Sequence, residues 1–105
     1  MDYQHITILG RAVASPQQFT DKNEKEYSAF SIAVNRFMGK ERGSATTFYD
    51  CLLFDSKNSA KIAEKITKGA MIAVQGRPEA DGYVTKEGEP KAQIKVLVSS
   101  WRVLK

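Results

Sequence analysis

Two phenylalanines in one apolar segment are the side chains whose type and spacing first suggest a chemistry for this chain. Phe54 follows Phe48 by six positions, an even number, so in a β-strand both point to one face, while Tyr49 and Cys51 point to the other. The protein core can cover only one of these faces. The other face needs a flat ligand or a second subunit, and an unpaired nucleic-acid base, which stacks on aromatic rings, fits that surface.

Basic side chains along the chain are candidates for phosphate contacts. Gly39 and Gly43 make the segment from Met38 to Thr46 a mobile basic loop. The formal net charge of +4 is compatible with a polyanionic partner but does not identify one. The candidates for phosphate contacts are Arg11, Arg36, Lys40, Arg42, Arg77 and Lys91.

The sequence offers no catalytic constellation. His5, the one histidine, is not part of a cysteine or carboxylate motif that binds metal, so we predict neither a metal site nor a catalytic triad. Glycine motifs that bind nucleotide phosphates are also missing. We therefore expect a protein without enzymatic activity and without a cofactor.

Three strands and a helix must position these residues. Alternation of apolar and polar residues predicts strands over Gln4–Val13 and around Phe30–Val34, and an apolar segment predicts a third strand over Thr47–Phe54. Apolar residues at helical spacing predict one helix between Asp55 and Gly69. Its expected N-cap is Asp55, Ser56 or Ser59, and Gly69 is expected at the left-handed position after its C-terminus.

Two or more strands follow the helix. Ile72 and Val74 predict a fourth strand that runs into Gly76-Arg77-Pro78. The segments 83–85 and 92–98 predict a hairpin around residues 86–89. Phe19 and Phe30 are expected in the core, and Trp101 in the core or at a subunit interface. This order predicts an all-β fold: a single domain, residues 1–105, forming a five-stranded OB-fold Greek-key barrel with one helix between strands 3 and 4 and a protruding hairpin.

Four segments resemble the bacterial single-stranded DNA-binding protein family, an OB-fold family, in their order and spacing. They are Ile8-Leu-Gly-Arg11, Ala29-Phe-Ser-Ile-Ala-Val-Asn-Arg36, Phe48-Tyr-Asp-Cys-Leu-Leu-Phe54, and Lys68-Gly69 followed by Ile72-Ala-Val-Gln-Gly-Arg77. The resemblance implies sequence-independent binding and protection of single-stranded DNA in replication, repair or recombination. It places the base-stacking rings at Phe37 (or Met38), Phe48, Phe54 and Tyr83.

The same resemblance implies assembly through the first strand into a homotetramer, a dimer of dimers. The subunit-interface candidates are Gln4, His5, Ile6, Ile8 and Tyr49. It also implies a cytoplasmic protein of bacterial, plasmid or phage origin, associated with the nucleoid. A single cysteine, no apolar segment of transmembrane length and no signal peptide agree with that location.

Two features depart from the family pattern. The segment Pro78-Glu-Ala-Asp-Gly82 is acidic where family members are usually basic, and it would repel phosphate. The acidic C-terminal tail through which family members recruit replication and repair proteins is also expected to be absent. Two alternatives stay open: a primosome-type OB-fold adaptor that acts in replication restart mainly through protein contacts, and an OB domain that binds RNA.

Overall fold

The computed structural model describes residues 4–54 and 58–104, which form six strands and one helix. In chain order these are β1 (Ile6–Ala12), β2 (Gln17–Thr20), β3 (Glu26–Phe37), β4 (Ser44–Leu53), α1 (Ser59–Lys65), β5 (Met71–Val84) and β6 (Pro90–Leu104).

Five of the strands close into a barrel. β1 pairs antiparallel with β5 and, through Arg11 and Ala12, with β3. β3 pairs antiparallel with β4, β4 pairs parallel with β6, and β6 returns antiparallel to β5. Only β2 lies outside this ring, paired with β3 alone. The predicted five-stranded OB barrel with its helix between the third and fourth barrel strands is confirmed.

Glycine is required where β1 crosses from one partner strand to the other. A Cβ atom at Gly10 would lie 2.6 Å from the carbonyl oxygen of Ala33 and 2.6 Å from a methyl group of Ile32. Strands approach this closely only where one side chain is missing. This close approach at Gly10 is the point where the barrel closes.

Aliphatic side chains fill the barrel. Phe30 is the one aromatic residue among those classed as buried in the described chain. Ile62 and Ile66 are fully buried and pack α1 against the barrel. The buried apolar set is Ile8, Ala12, Phe30, Ile32, Cys51, Leu53, Ile62, Ile66, Ile72, Val74 and Val96. The core thus leaves most of the aromatic rings outside it.

The ends of the helix differ from the prediction. The N-cap is Asn58, and Ser59 is the first helical residue. The other two N-cap candidates, Asp55 and Ser56, lie outside the described residues. Gly69 has the expected positive φ of 86°, but it lies in a turn, because α1 already ends at Lys65 and the next residue is its C-cap.

The strands are longer than predicted. β5 continues through Pro78 and the acidic segment up to Val84, because β6 pairs with it over this length, with one register shift between Gln75 and Gly76. β4 begins at Ser44, so the loop expected up to Thr46 covers only residues 38–43. β2 was not predicted at all, because all its residues are exposed and their sequence shows no alternation.

Candidate nucleic-acid interface

One side of the sheet formed by β2, β3 and β4 carries a row of exposed rings, which we call the aromatic face. Strand register assigns the rings to it: Ala33 of β3 pairs with Phe48 of β4, so Phe37, four residues after Ala33, points to the same side as Phe48. Phe37 is 71% exposed, Phe48 is 58% exposed and Phe54, just after β4, is 47% exposed. These rings are therefore free to contact a flat ligand.

Phe19 extends the aromatic face onto the edge strand, which corrects the prediction that it belongs to the core. It is 44% exposed and pairs across β2 and β3 with Tyr27. The ring centroids of Phe19 and Tyr27 are 5.7 Å apart, and those of Tyr27 and Phe54 are 5.0 Å apart. Sequence reasoning missed the contact between Phe19 and Tyr27, because it did not recognise β2 as a strand and so could not find the pairing that brings these rings together.

The hairpin of β5 and β6 continues the same side of the sheet. Asp50 of β4 pairs with Lys95 of β6, and every second residue from there leads to Lys91, which pairs with Tyr83. Register therefore directs Tyr83, 49% exposed, to the side that carries Phe48. All four predicted stacking residues lie on this side of the sheet.

Three cations of the β5–β6 hairpin lie close to carboxylates. Arg77 Nη2 lies 3.3 Å from Glu79 Oε1, Lys91 Nζ lies 3.7 Å from Glu89 Oε2, and Lys95 Nζ lies 3.2 Å from Asp81 Oδ2. Both members of each pair are solvent-exposed to a large extent, so the pairs are weak and a phosphate can displace the carboxylates. Two of the six predicted phosphate ligands, Arg77 and Lys91, are in these pairs.

The remaining four cations occupy three places. Lys40 and Arg42 are exposed on the loop of residues 38–43, and within the described residues neither belongs to an ion pair. Arg36 precedes Phe37 on β3 and so points to the opposite side of the strand, where its Nη2 lies 3.8 Å from Met38 Sδ. Arg11 is paired with Ala33, and its Nη1 donates to the carbonyl oxygen of Gly69 at 3.1 Å.

A carboxylate lies within the aromatic face. Asp50 is half-buried on β4, and its Oδ1 accepts a hydrogen bond of 2.9 Å from Ser31 Oγ. The next residue, Cys51, points inward and is fully buried. Burial, and secondarily the negative charge of Asp50, raises the pKa of the Cys51 thiol to about 12, so this thiol stays protonated and unreactive at neutral pH.

The five residues predicted for subunit contacts differ in how far their side chains are exposed. Gln4 and His5 are exposed just before β1, and Ile6 is partly buried. Ile8 is 4% exposed in the core of the single chain, so it offers a partner its backbone rather than its side chain. Tyr49 packs partly buried against the core from β4. Leu9, 54% exposed on β1, is a residue that sequence reasoning did not single out.

Neither a metal site nor a membrane span is found in the part of the chain that the structure describes. Residues 4–54 and 58–104 contain no group of three or more histidine, cysteine, aspartate or glutamate side chains arranged to hold a metal ion. Among the same residues, no helix is long and apolar enough to cross a bilayer.

Sequence comparison matches this chain to a protein family. The single-strand binding protein family matches residues 3–104. The single-stranded DNA-binding protein of Malacoplasma penetrans is 30% identical over 99 residues, which are 94% of this chain and 50% of the relative. That of Clostridium perfringens is 29% identical over 97 residues, 91% of this chain and 62% of the relative. The chain thus spans about half to three-fifths of the length of these relatives.

Solved structures show the same fold at lower sequence identity. The Plasmodium falciparum SSB in complex with ssDNA superposes with a TM-score of 0.76 at 21% identity, over 100% of this chain and 97% of that one. A small single-stranded DNA-binding protein from Streptomyces coelicolor superposes with a TM-score of 0.77 at 16% identity, over 98% of this chain and 95% of that one.

Proposed function

Because this chain belongs to the single-strand binding protein family, we propose that it binds single-stranded DNA without requiring a particular sequence. The observation that carries the proposal is the aromatic face together with Tyr83. Rings that are about half exposed or more lie on one side of the sheet, while the core is filled almost entirely by aliphatic residues. Exposed rings grouped in this way are typical of surfaces that bind another molecule.

Base stacking supplies the sequence-independent part of the affinity. Phe37, Phe48, Phe54 and Tyr83 each offer a ring face on which a base can lie, and every base has such a face. Stacking is worth roughly 1–3 kcal/mol per base, so several rings used together support tight binding. Phe19 and Tyr27 extend the track toward β2.

Phosphate contacts supply the salt-dependent part. Lys40 and Arg42 are available directly, because no described carboxylate pairs with them. Arg77 and Lys91 become available when a phosphate displaces Glu79 or Glu89. Arg11 and Arg36 complete the proposed set from the ends of β1 and β3, and no catalytic step is part of the mechanism.

Assembly through β1 completes the proposal. The edge of β1 from Ile6 to Gly10 that faces away from β5 has no partner strand among the described residues, which suits pairing with a second copy. A dimer of dimers would place several aromatic faces around one DNA strand. The protein would then protect single strands in replication, repair or recombination, in the bacterial cytoplasm or nucleoid. The adaptor alternative is not favoured by the family match or by the curated relatives.

Titration with oligo(dT), followed by intrinsic fluorescence at two salt concentrations, tests this function. Duplex DNA and oligo(rU) of equal length serve as controls. We expect tight, salt-sensitive binding to oligo(dT) and weak binding to the duplex, because a duplex offers no unstacked base. Equal binding to duplex and single strand would refute the proposal, and preferential binding to oligo(rU) would identify RNA as the ligand.

A further inference from the structure

A negative charge lies where the DNA strand would pass, between two of its stacking rings. On β4, Asp50 follows Phe48 by two residues and precedes Phe54 by four, and all three point to the same side. At about 3.3 Å per residue, the three side chains leave the strand at intervals of about 7 and 13 Å. Asp50 is therefore close enough to contact the edge of a base that stacks on Phe48.

The carboxylate is held in place but keeps free acceptor capacity. Ser31 Oγ donates to Oδ1 at 2.9 Å, which fixes the side chain, and no other hydrogen bond to Asp50 occurs among the described residues. The basic residue opposite Asp50 is Lys95, and its ammonium group instead pairs with Asp81 at 3.2 Å. Oδ2 therefore remains available to a ligand that donates hydrogen bonds.

A groove next to Asp50 has room for a base edge. It encloses about 260 Å³ between the end of β1, the start of β2 and the outward side of β3 and β4. This is below the roughly 300–1,000 Å³ of pockets for drug-sized ligands, which suits a single base. Ser31, Asp50 and the exposed Gln17 contribute polar groups to its lining, and Ala29 and Leu52 contribute apolar surface.

We propose that Asp50 and this groove give the protein a preference for cytosine over uracil or thymine at the base stacked beside Phe48. A carboxylate is negatively charged, so it repels phosphate. It only accepts hydrogen bonds, so it favours an exocyclic amino group, which donates them. Cytosine presents the N4 amino group where uracil and thymine present the O4 carbonyl, and aspartate accepts from cytosine N4 in other protein–DNA contacts. The preference rests on the proposed DNA binding and adds a bias to it, because the other stacking positions read no base.

Competition between oligo(dC) and oligo(dU) of equal length measures this preference. These strands carry the same backbone and lack the thymine methyl group, and slightly alkaline pH keeps cytosine unprotonated. We expect oligo(dC) to bind at least about threefold more tightly than oligo(dU), a modest bias in view of the 1–3 kcal/mol that a bidentate base contact gives. Asp50→Asn should reduce the ratio to about one, because the amide both donates and accepts.

Two further variants separate a specific contact from a general charge effect. Glu64→Gln, on the exposed side of α1, makes the same change in net charge and should leave the ratio unaltered. Ser31→Ala removes the hydrogen bond that orients Asp50 and should lower the ratio part of the way. If Asp50→Asn strengthens binding of both strands equally, the base preference is refuted while DNA binding stands. If neither strand binds, the proposed function fails, and the preference fails with it.

Discussion

The stacking rings and the packing residues of β4 differ only in parity. Phe48 and Phe54 project outward at 58% and 47% exposure, whereas Cys51 and Leu53 between them are buried. Sequence reasoning reached this division because strand parity needs no tertiary information. It assigned Phe19 to the core, which is wrong, because β2 was not recognised as a strand and the parity of Phe19 could not be used.

Replacing both Phe48 and Phe54 by alanine should weaken binding to oligo(dT) by about 2–6 kcal/mol in sum, the loss expected for two stacked bases. The fold should survive, because both rings are largely exposed. Phe54 alone contributes a ring contact, with Tyr27 at 5.0 Å, worth about 0.5–1.5 kcal/mol.

Tyrosine at the same two positions is the matched control and should retain most of the affinity, since it keeps the ring. Affinity that stays unchanged in the alanine variant, measured by fluorescence or filter binding, would contradict a stacking role for these two residues.

The buried thiol of Cys51 should make the free energy of unfolding decrease as the pH rises above 9. Its pKa rises from 9.0 to about 12 on folding, so above pH 9 the unfolded chain loses this proton while the folded chain keeps it. The thiol's contribution to stability is therefore complete below pH 9 and falls progressively up to about pH 12.

Urea unfolding of the native protein and of Cys51→Ala from pH 8 to 10 measures this. The difference in the free energy of unfolding should shrink as pH rises, while lysine and tyrosine titrations affect both proteins alike. A difference that does not vary with pH would show that Cys51 titrates normally.

At the scale of elements, the loop and the hairpin carry cations in two different electrostatic states. Lys40 and Arg42 on the loop are unpaired among the described residues, whereas Arg77 and Lys91 on the hairpin already have carboxylate partners. A phosphate gains more binding free energy from an unpaired cation, because it does not have to displace a carboxylate. The loop should therefore account for more of the salt dependence of DNA binding than the hairpin.

Changing Lys40 and Arg42 together to glutamine should make the slope of log affinity against log salt concentration less steep by about 1.4. This figure takes about 0.7 for each phosphate contact on a single strand. The same change at Arg77 and Lys91 serves as the comparison and should alter the slope less. Slopes that change equally in both variants would show that the ion pairs of the hairpin do not weaken its phosphate contacts.

The hairpin also shows where sequence reasoning is weak. Proline, aspartate and glycine are uncommon in strands, so the segment around Pro78 predicts a break. In the structure β6 pairs with this segment residue by residue, from Pro78 with Val96 to Gly82 with Ala92. Non-local pairing overrides local preference here, whereas β1 and β3 were recognisable from alternation and β4 from its apolar sequence.

At the scale of the molecule, the free edge of β1 should cause self-association. Leu9 is 54% exposed on this strand. A lysine there would place a charge beside the edge and block pairing with a second copy. Sedimentation should give a multiple of the 11.7 kDa chain mass for the native protein and a smaller species for Leu9→Lys.

Val84→Lys, at an exposed apolar residue at the end of the hairpin, is the control and should assemble normally. A native protein that sediments as a monomer at every concentration would contradict assembly through β1.

The parallel pairing of β4 with β6 also determines when the barrel can close during synthesis. The ribosome makes β3 and β4, with their exposed rings, well before β6, and the barrel cannot close until β6 pairs with both β4 and β5. At about 5–20 residues per second the delay lasts seconds. Throughout that interval the nascent chain presents unpaired strand edges beside apolar rings, so rapid overproduction should favour aggregation, and a lower expression temperature or a chaperone should increase the soluble yield.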